Sequence, residues 1–436
     1  MLDHKDYHMK IVGLIAEYNP FHNGHEYHIQ QSLKETGADA AIIIMSGDYV
    51  QRGSPAIMPK YLRAEMALNS GAAAVFELPL CYATGSAELF AFGAVSFLDA
   101  LGVVDCICFG SESNDVERLQ VVADILCEEP ELYQEYLREN LRSGMTYPTA
   151  RHHALVSYMK DPSYTDLVRD PNNILGIEYL KALRVLDSKM TAHTIQRVGS
   201  HHRDQDLTAS YSSATAIRSL LAYSSSAIST MDSGGTFDNT PFHNILHQLE
   251  DQVPKSCLNI LRDYHRVQYP IYQNDFSLLL KYKLLNKSPE HLTRYLDVSE
   301  DLANRICKQL NHFFNFKQFA ELIKTKDMTY TRINRALLHI MLGTKKSNVQ
   351  LYLEHGPHYY ARLIGVRKDS SKVLSLISKK SSIPLLSKLS DTEKIPGVGR
   401  KMLYHDILAS NLYLSVITDK FRTAYESEHA HRIVKV

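Results

Sequence analysis

Charge of neither sign prevails in this chain: over 436 residues, 48 Lys or Arg balance 48 Asp or Glu. Composition alone therefore argues for no nucleic-acid partner, and any basic surface has to be local. The six cysteines (Cys81, Cys106, Cys108, Cys127, Cys257 and Cys307) lie scattered without CxxC spacing and read as reduced core thiols of a cytoplasmic protein. No apolar run approaches the length of a membrane span; the longest, around Leu89 to Leu98, is cut by Asp99, so no membrane partner is expected. The polar start MLDHKDYH offers no signal peptide. A Walker loop, a GxGxxG turn, an HExxH pair and long internal repeats are all missing. Tryptophan is missing too, with no functional reading. What remains is an ordinary globular composition, 44% apolar and 22% charged, with length for two or three domains.

The stretch IVGLIAEYNPFHNGHEYH, from Ile11 to His28, stands out against this background. Ile11 to Ala16 is short and apolar enough for a buried strand. Asn19-Pro20 breaks regular structure, and Glu26 to Leu33 reads as a helix beginning. A strand, a tight loop and a helix N-terminus make an anion site, because the first backbone N–H groups of a helix lack intrahelical partners and its dipole favours negative charge. Gly24 lets a phosphate approach the backbone, and His22 and His25 project from about the same side. Fixed donors of this kind suit attack on the α-phosphate of a nucleoside triphosphate, where charge builds on the phosphoryl oxygens and on departing pyrophosphate. Simple helix capping and a metal site at His22, His25 and His28 are the alternatives; no Cys or Asp accompanies the histidines as a metal site would want.

Along the first half, apolar strands are expected at Ala40 to Gly47, Ala73 to Leu80, Asp105 to Gly110 and His193 to Val198, with helices at Pro59 to Ser70 and Gly85 to Leu101. That alternation predicts a parallel sheet covered on both faces, with ligands beyond the carboxyl ends of its strands. After the second strand, Gly47 and Gly53 bracket Gln51 and Arg52, and Lys60 and Arg63 follow one helical turn apart; together they favour an anionic ligand. Gly110 ends the fourth strand, where a flat ring could lie on the backbone. Asn172 is a helix cap that, with Asn173, could also read a ring edge or ribose. Downstream, Arg197 and the string His201-His202-Arg203-Asp204 lead to Tyr211-Ser212-Ser213-Ala214-Thr215-Ala216-Ile217-Arg218, hydroxyls at a helix start with a cation one turn in.

The segment from Ala222 to Thr240 is rich in Ser, Thr and Gly and reads as a linker. The second half is expected to be mostly helical, and between Asn315 and His405 seventeen Lys or Arg stand against six Asp or Glu. Arg332, Arg335, Lys345, Lys346, Arg362, Arg367, Lys368 and Lys372 are candidates for a phosphate backbone, and Tyr330, Tyr359 and Tyr360 for stacking on unpaired bases. Ile395-Pro396-Gly397-Val398-Gly399 is similar to the hairpin of helix-hairpin-helix modules.

His22-Asn23-Gly24-His25 after an apolar strand resembles the histidine motif of the nucleotidyltransferase superfamily, and Ser212-Ser213-Ala214-Thr215-Ala216-Ile217-Arg218 resembles its second signature. The fuller wording AEYNPFHNGHEYH, with MSGDYVQRGSPA, PNNILG, SATAIR, KTKDMTYTRINRALLHIMLG and DILASNLY, resembles the bacterial tRNA(Met) cytidine acetate ligase family over nearly the whole chain. The resemblance implies an α/β fold: a Rossmann-like nucleotidyltransferase domain at 9–225, a linker at 226–241, and a mainly helical, locally basic tRNA-binding region at 242–436. It implies an ATP-dependent ligase that forms acetyl adenylate and acetylates N4 of the wobble cytidine of elongator tRNA(Met). Partners would be ATP, acetate and tRNA, with Mg2+ on the triphosphate and no DNA. The implied nucleotide cradle is Ile15, Ala16, Glu17, Tyr18, Asn19, Pro20, Phe21, His22, Asn23, Gly24, His25, Glu26, Tyr27 and His28, joined by Gly110, Asn172, Asn173, Arg197, Ser213 and Thr215. His22, His25 and Arg218 would act on the triphosphate, and no protein metal ligand is expected. Arg52, Lys60 and Arg63 would meet acetate, phosphate or tRNA, and Arg332 and Arg335 the tRNA. Asp48 departs from the polar residue expected in its loop. The rival reading is an adenylyltransferase that makes a nucleotide coenzyme from a phosphorylated small molecule; a tRNA-binding protein with a regulatory nucleotide site is the third.

Overall fold

The structure, a computed structural model, describes residues 8–197, 212–227 and 240–436. The string from His201 to Asp204, Tyr211, and most of the expected linker lie outside the described residues. Five parallel strands form, four of them where the apolar runs predict them: β1 (Ile11–Ala16), β2 (Ala40–Ser46), then, after the two-residue strands β3 (Tyr49–Val50) and β4 (Ser54–Pro55), β5 (Ala74–Leu78) and β6 (Cys106–Ser111), with the half-exposed β7 (Thr191–Gln196) two residues earlier than expected. Side chains alternate across this sheet as the two-residue period of a strand requires. Ile11, Ile42 and Ile44 pack on one face, and Val12, Leu14, Ile43 and Met45 on the other. Strands buried on both faces are continuous in apolar residues, which is why these runs were legible.

Three more strands come from the second half: β8 (Ala361–Val366), β9 (Leu385–Leu386) and β10 (Val434–Lys435). The sheet order is β10-β8-β5-β2-β1-β6-β7, with β9 beside β8. β8 runs antiparallel to β5. The sheet of the first half is therefore finished by residues that the sequence places in a separate helical region. The remaining helices behave as expected: Ser277–Leu285, Glu300–Gln309 and Tyr330–Leu342 enclose a third apolar core with Tyr413, Val416 and Ile417. Ile395 to Gly399 is not a hairpin; Pro396 caps the 25-residue helix Gly397–Phe421. Among the described residues all six cysteines are free, and no helix is long and apolar enough to cross a membrane.

A buried ionic cluster joins the two halves. The Lys60 ammonium lies 2.8 Å from Glu77 and 2.6 Å from Glu428, and donates to Ser410 Oγ at 2.8 Å. Arg362 stands 3.0 Å from Glu77 and also pairs with Glu428. Burial and Arg362 work against the Lys60 charge, but Glu428, Glu77 and Asp48 outweigh them and hold it above the ordinary lysine range. Arg362, an expected phosphate contact, is thus committed to protein carboxylates. Tyr359 and Tyr360 are buried as well, donating to the Tyr352 carbonyl and to Asp406, and offer no face to a base.

Candidate active site

In a doubly wound sheet the crevice opens where the strand order reverses, at the carboxyl ends of neighbouring strands whose helices cross on opposite faces. Here that point lies between β1 and β6. A cavity of about 600 Å³ occupies it.

β1 ends in a turn in which Tyr18 takes a left-handed φ of 48° and the Asn19-Pro20 peptide is cis. The helix Asn23–Thr36 then starts at His22. Nδ1 of His22 accepts the Gly24 N–H at 3.1 Å, and Nδ1 of His25 accepts the His22 N–H at 3.3 Å. Each imidazole therefore carries its hydrogen on Nε2. The two rings stack with centroids 3.7 Å apart, and both line the cavity. Capping does not exclude a second role: one nitrogen of each ring serves the helix, and the other carries the ring's hydrogen. Gly24 is required by this arrangement, since a Cβ there would come 2.9 Å from Cε1 of His22.

The second signature docks on the first. Ser213 accepts the Ala216 N–H at 3.1 Å at the start of the helix Ala214–Ala227. Arg218 donates to Thr215 Oγ1 at 3.0 Å and to the Asn19 carbonyl at 2.6 Å. Burial lowers the Arg218 pKa to about 10, with Arg52 adding to the effect and Glu17 opposing it. Ser213, Thr215 and Arg218 all line the cavity with the histidines. Two segments almost two hundred residues apart are thereby brought to one corner of the cavity.

At the β6 end, Gly110 lines the cavity beside Arg197, whose Cγ would lie 3.2 Å from a Cβ on Gly110. Arg197 donates to Asn172 Oδ1 at 3.1 Å. His28 also faces this cavity. Burial first, then Arg197, bring its pKa down to about 4, while a hydrogen bond to the Cys108 carbonyl opposes them. A proton held on Nδ1 by that carbonyl leaves Nε2 as a buried acceptor with no partner among the described residues.

Of the expected cradle, Ile15 to Asn19, Gly24, Tyr27 and Gly110 line the cavity with these residues, but others face elsewhere. Phe21 is a core side chain, and Asn23 binds the Asp251 and Gln252 carbonyls. Pro20 and Glu26 lie outside the wall, Pro20 in the turn and Glu26 in the first helical turn. Asn173 lies outside the wall: it is buried, its Oδ1 gathers Ser111 Oγ at 2.7 Å and the Glu112 N–H at 3.1 Å and so shapes the loop, while its Nδ2 meets no partner among the described residues. Lys60 and Arg63 are corrected. Lys60 belongs to the ionic cluster, and buried Arg63 donates to the carbonyls of Glu17, Ser46, Gly47 and Met58, holding the loops around the site. Arg52 stands exposed at the rim. Arg335 pairs with Asp297 at 2.8 Å, whereas Arg332 is exposed. Sequence reading missed Tyr179, Gln196, Tyr272 and Gln273 in the wall. Gln196, at the carboxyl end of β7, was open to discovery by the strand-end rule; Tyr272 and Gln273 come from the second half and carried no signal.

A turn and helix N-terminus with paired imidazoles stand at the switch point of a parallel sheet, and residues 9–429 match the family described as HIGH Nucleotidyl Transferase, which makes this chain a member of the nucleotidyltransferases. The likeness is closer still to one group. A tRNA(Met) cytidine acetate ligase of Acetivibrio thermocellus is 40% identical over 93% of this chain and 95% of that one, and one of Caldanaerobacter subterraneus subsp. tengcongensis is 39% identical over the same shares. The crystal structure of apo TmcAL from Thermotoga maritima covers 98% of this chain and 100% of its own, at 32% identity and a TM-score of 0.88; its form bound with alpha-thio ATP gives 0.86. This chain belongs to the tRNA(Met) cytidine acetate ligase family.

Proposed function

We propose that this protein activates acetate with ATP and transfers the acetyl group to N4 of the wobble cytidine of elongator tRNA(Met). The observation that carries the reading is the pair of stacked imidazoles whose Nδ1 atoms are occupied by backbone N–H groups, so that two Nε2–H donors sit at a helix N-terminus. A carboxylate oxygen of acetate attacks the α-phosphate, forming acetyl adenylate as the bond to pyrophosphate breaks. His22, His25 and Arg218 neutralise the charge that leaves with pyrophosphate. The cytidine amine then attacks the acetyl carbonyl and AMP departs. Gly110, Asn172, Arg197 and His28 form the nucleoside end. Mg2+ would ride on the triphosphate, whose phosphates are its natural ligands; among the described residues no three His, Cys, Asp or Glu side chains converge as a metal site.

The direct test is mass spectrometry of tRNA incubated with ATP and acetate. A cytidine heavier by one acetyl group only when protein, ATP and acetate are all present is expected; unmodified tRNA would sink the proposal. Two variants refine it. His28→Phe removes the buried acceptor, and a lost hydrogen bond of about 1 kcal/mol predicts roughly fivefold weaker ATP binding by calorimetry. Arg332→Ala is expected to weaken tRNA binding and to flatten its dependence on salt by about one charge in a filter-binding series; an unchanged slope would remove Arg332 from the interface.

A further inference from the structure

We propose that Val50, Ile57 and Ile271 form the acyl subsite of this cavity and restrict the carboxylate it activates to acetate. The proposal rests on the acetate-activating reading above and adds a size filter to it. All three side chains line the cavity and are almost fully buried, 1% exposed for Val50 and Ile57 and 2% for Ile271. Other apolar side chains line the cavity too, Phe90, Phe109, Ile174 and Ile195 among them, but these three come from separate segments that the backbone ties to the Asn19 turn.

The placement of that wall is what gives it meaning. The Ile57 N–H donates to Asn19 Oδ1 at 2.7 Å, and the Ile271 N–H donates to the Ile57 carbonyl at 2.9 Å. Asn19 also supplies the carbonyl that holds Arg218. One residue thus fixes both the apolar wall and the guanidinium beside it. Val50 is tied to the same corner through the β3–β4 pairing, opposite Ser54, and it directly precedes the Gln51 N–H that donates to Glu17 at 2.9 Å. Arg52 follows, close enough to Arg218 for its charge to act on that guanidinium. With Arg218 on the pyrophosphate, a small carboxylate drawn to the Arg52 side of this corner turns its alkyl end toward Val50, Ile57 and Ile271. Two branched isoleucines and a valine, their backbones hydrogen-bonded, make a stiff wall that yields little to an added methylene. In apolar pockets a single methylene changes selectivity by roughly 10- to 200-fold.

The test is carboxylate-dependent exchange of pyrophosphate into ATP, measured with acetate, propionate and butyrate for the full chain and for Val50→Ala and Ile271→Ala. The unaltered protein is expected to prefer acetate over propionate by about tenfold or more in kcat/KM. Each trimmed variant should reduce that preference about tenfold through a lower KM for propionate, at unchanged KM for ATP. The reverse variant, Val50→Leu, should raise the KM for acetate instead, and it guards against a trimmed variant that fails to fold. Equal use of acetate and propionate by the unaltered protein, or a ratio that no variant moves while acetate exchange continues, overturns the subsite and leaves acetate activation standing. Exchange with no carboxylate at all takes down acetate activation and the subsite together.

Discussion

Replacing His25 with Ala should lower acetate-dependent pyrophosphate release by a factor of 100 to 1,000, about the loss seen when one preorganised donor to a developing anion is removed. The geometry explains why the effect should fall on rate more than on stability. His25 contributes an Nε2–H to the cavity and a capping acceptor to the His22 N–H, and loss of such a cap costs only about 1 kcal/mol. Its stacking partner His22, 3.7 Å away, stays tied to Gly24. Melting temperature should therefore change by only a few degrees while acetyl transfer to tRNA disappears from the mass spectrum. His25→Gln, which restores an N–H donor of similar reach, should recover part of the rate. Activity of His25→Ala within tenfold of the starting protein would remove the imidazole pair from the chemistry.

Glu428→Ala should destabilise the molecule by about 3–5 kcal/mol, because it strands buried cations. Lys60 and Arg362 share Glu77 and Glu428, and all four side chains are 0–5% exposed. Chemical unfolding with the transition midpoint as readout measures the loss. Lys60→Met combined with Glu428→Ala should cost less than the sum of the single changes, since each removes the other's unpaired partner. The cluster also sets an acid limit. Burial raises the Glu428 carboxyl, but Lys60 and Arg362 outweigh it and bring it down to about 2. A carboxyl held below its unfolded value stabilises the protein above the ordinary glutamate range, and this contribution drains away as pH falls from about 4 toward 2. In Glu428→Ala the acid branch of the stability curve should be flatter, and an identical acid branch would discount the ion pairs.

The parts that were legible in sequence share one cause. β1, β2, β5 and β6 are largely buried on both faces, so each appears as an apolar run, broken in β5 only by Glu77, and the residues just beyond β1 and β6 inherit their place at the crevice from the topology. His22, His25, Gly110 and Arg218 all sit at such strand or helix ends. What misled was charge. Lys60 and Arg63 look like surface cations when read along the chain, because the carboxylates and carbonyls that bury them lie up to several hundred residues away. Arg362 looked basic for the same reason, inside a strand whose apolar run ARLIGV is masked by its surroundings in a Lys-rich stretch. Asn173 shows a finer limit: neighbouring Asn172 and Asn173 differ by one helical step, which turns one toward the cavity and the other beneath the loop.

The antiparallel strand β8 and the ion pairs behind it have a consequence for how the protein is made. Lys60 and Ser410, bonded in the finished molecule, are 350 residues apart in sequence. At translation rates of roughly 5–20 residues per second, the ribosome takes tens of seconds to supply the second after the first. Throughout that interval the emerging nucleotide-binding half exposes the edge of β5 and carries a lysine with no interior to enter. Its final packing has to wait for the distal segments, so stalled or prematurely terminated synthesis would yield a chain that contains the histidine motif but cannot close around it.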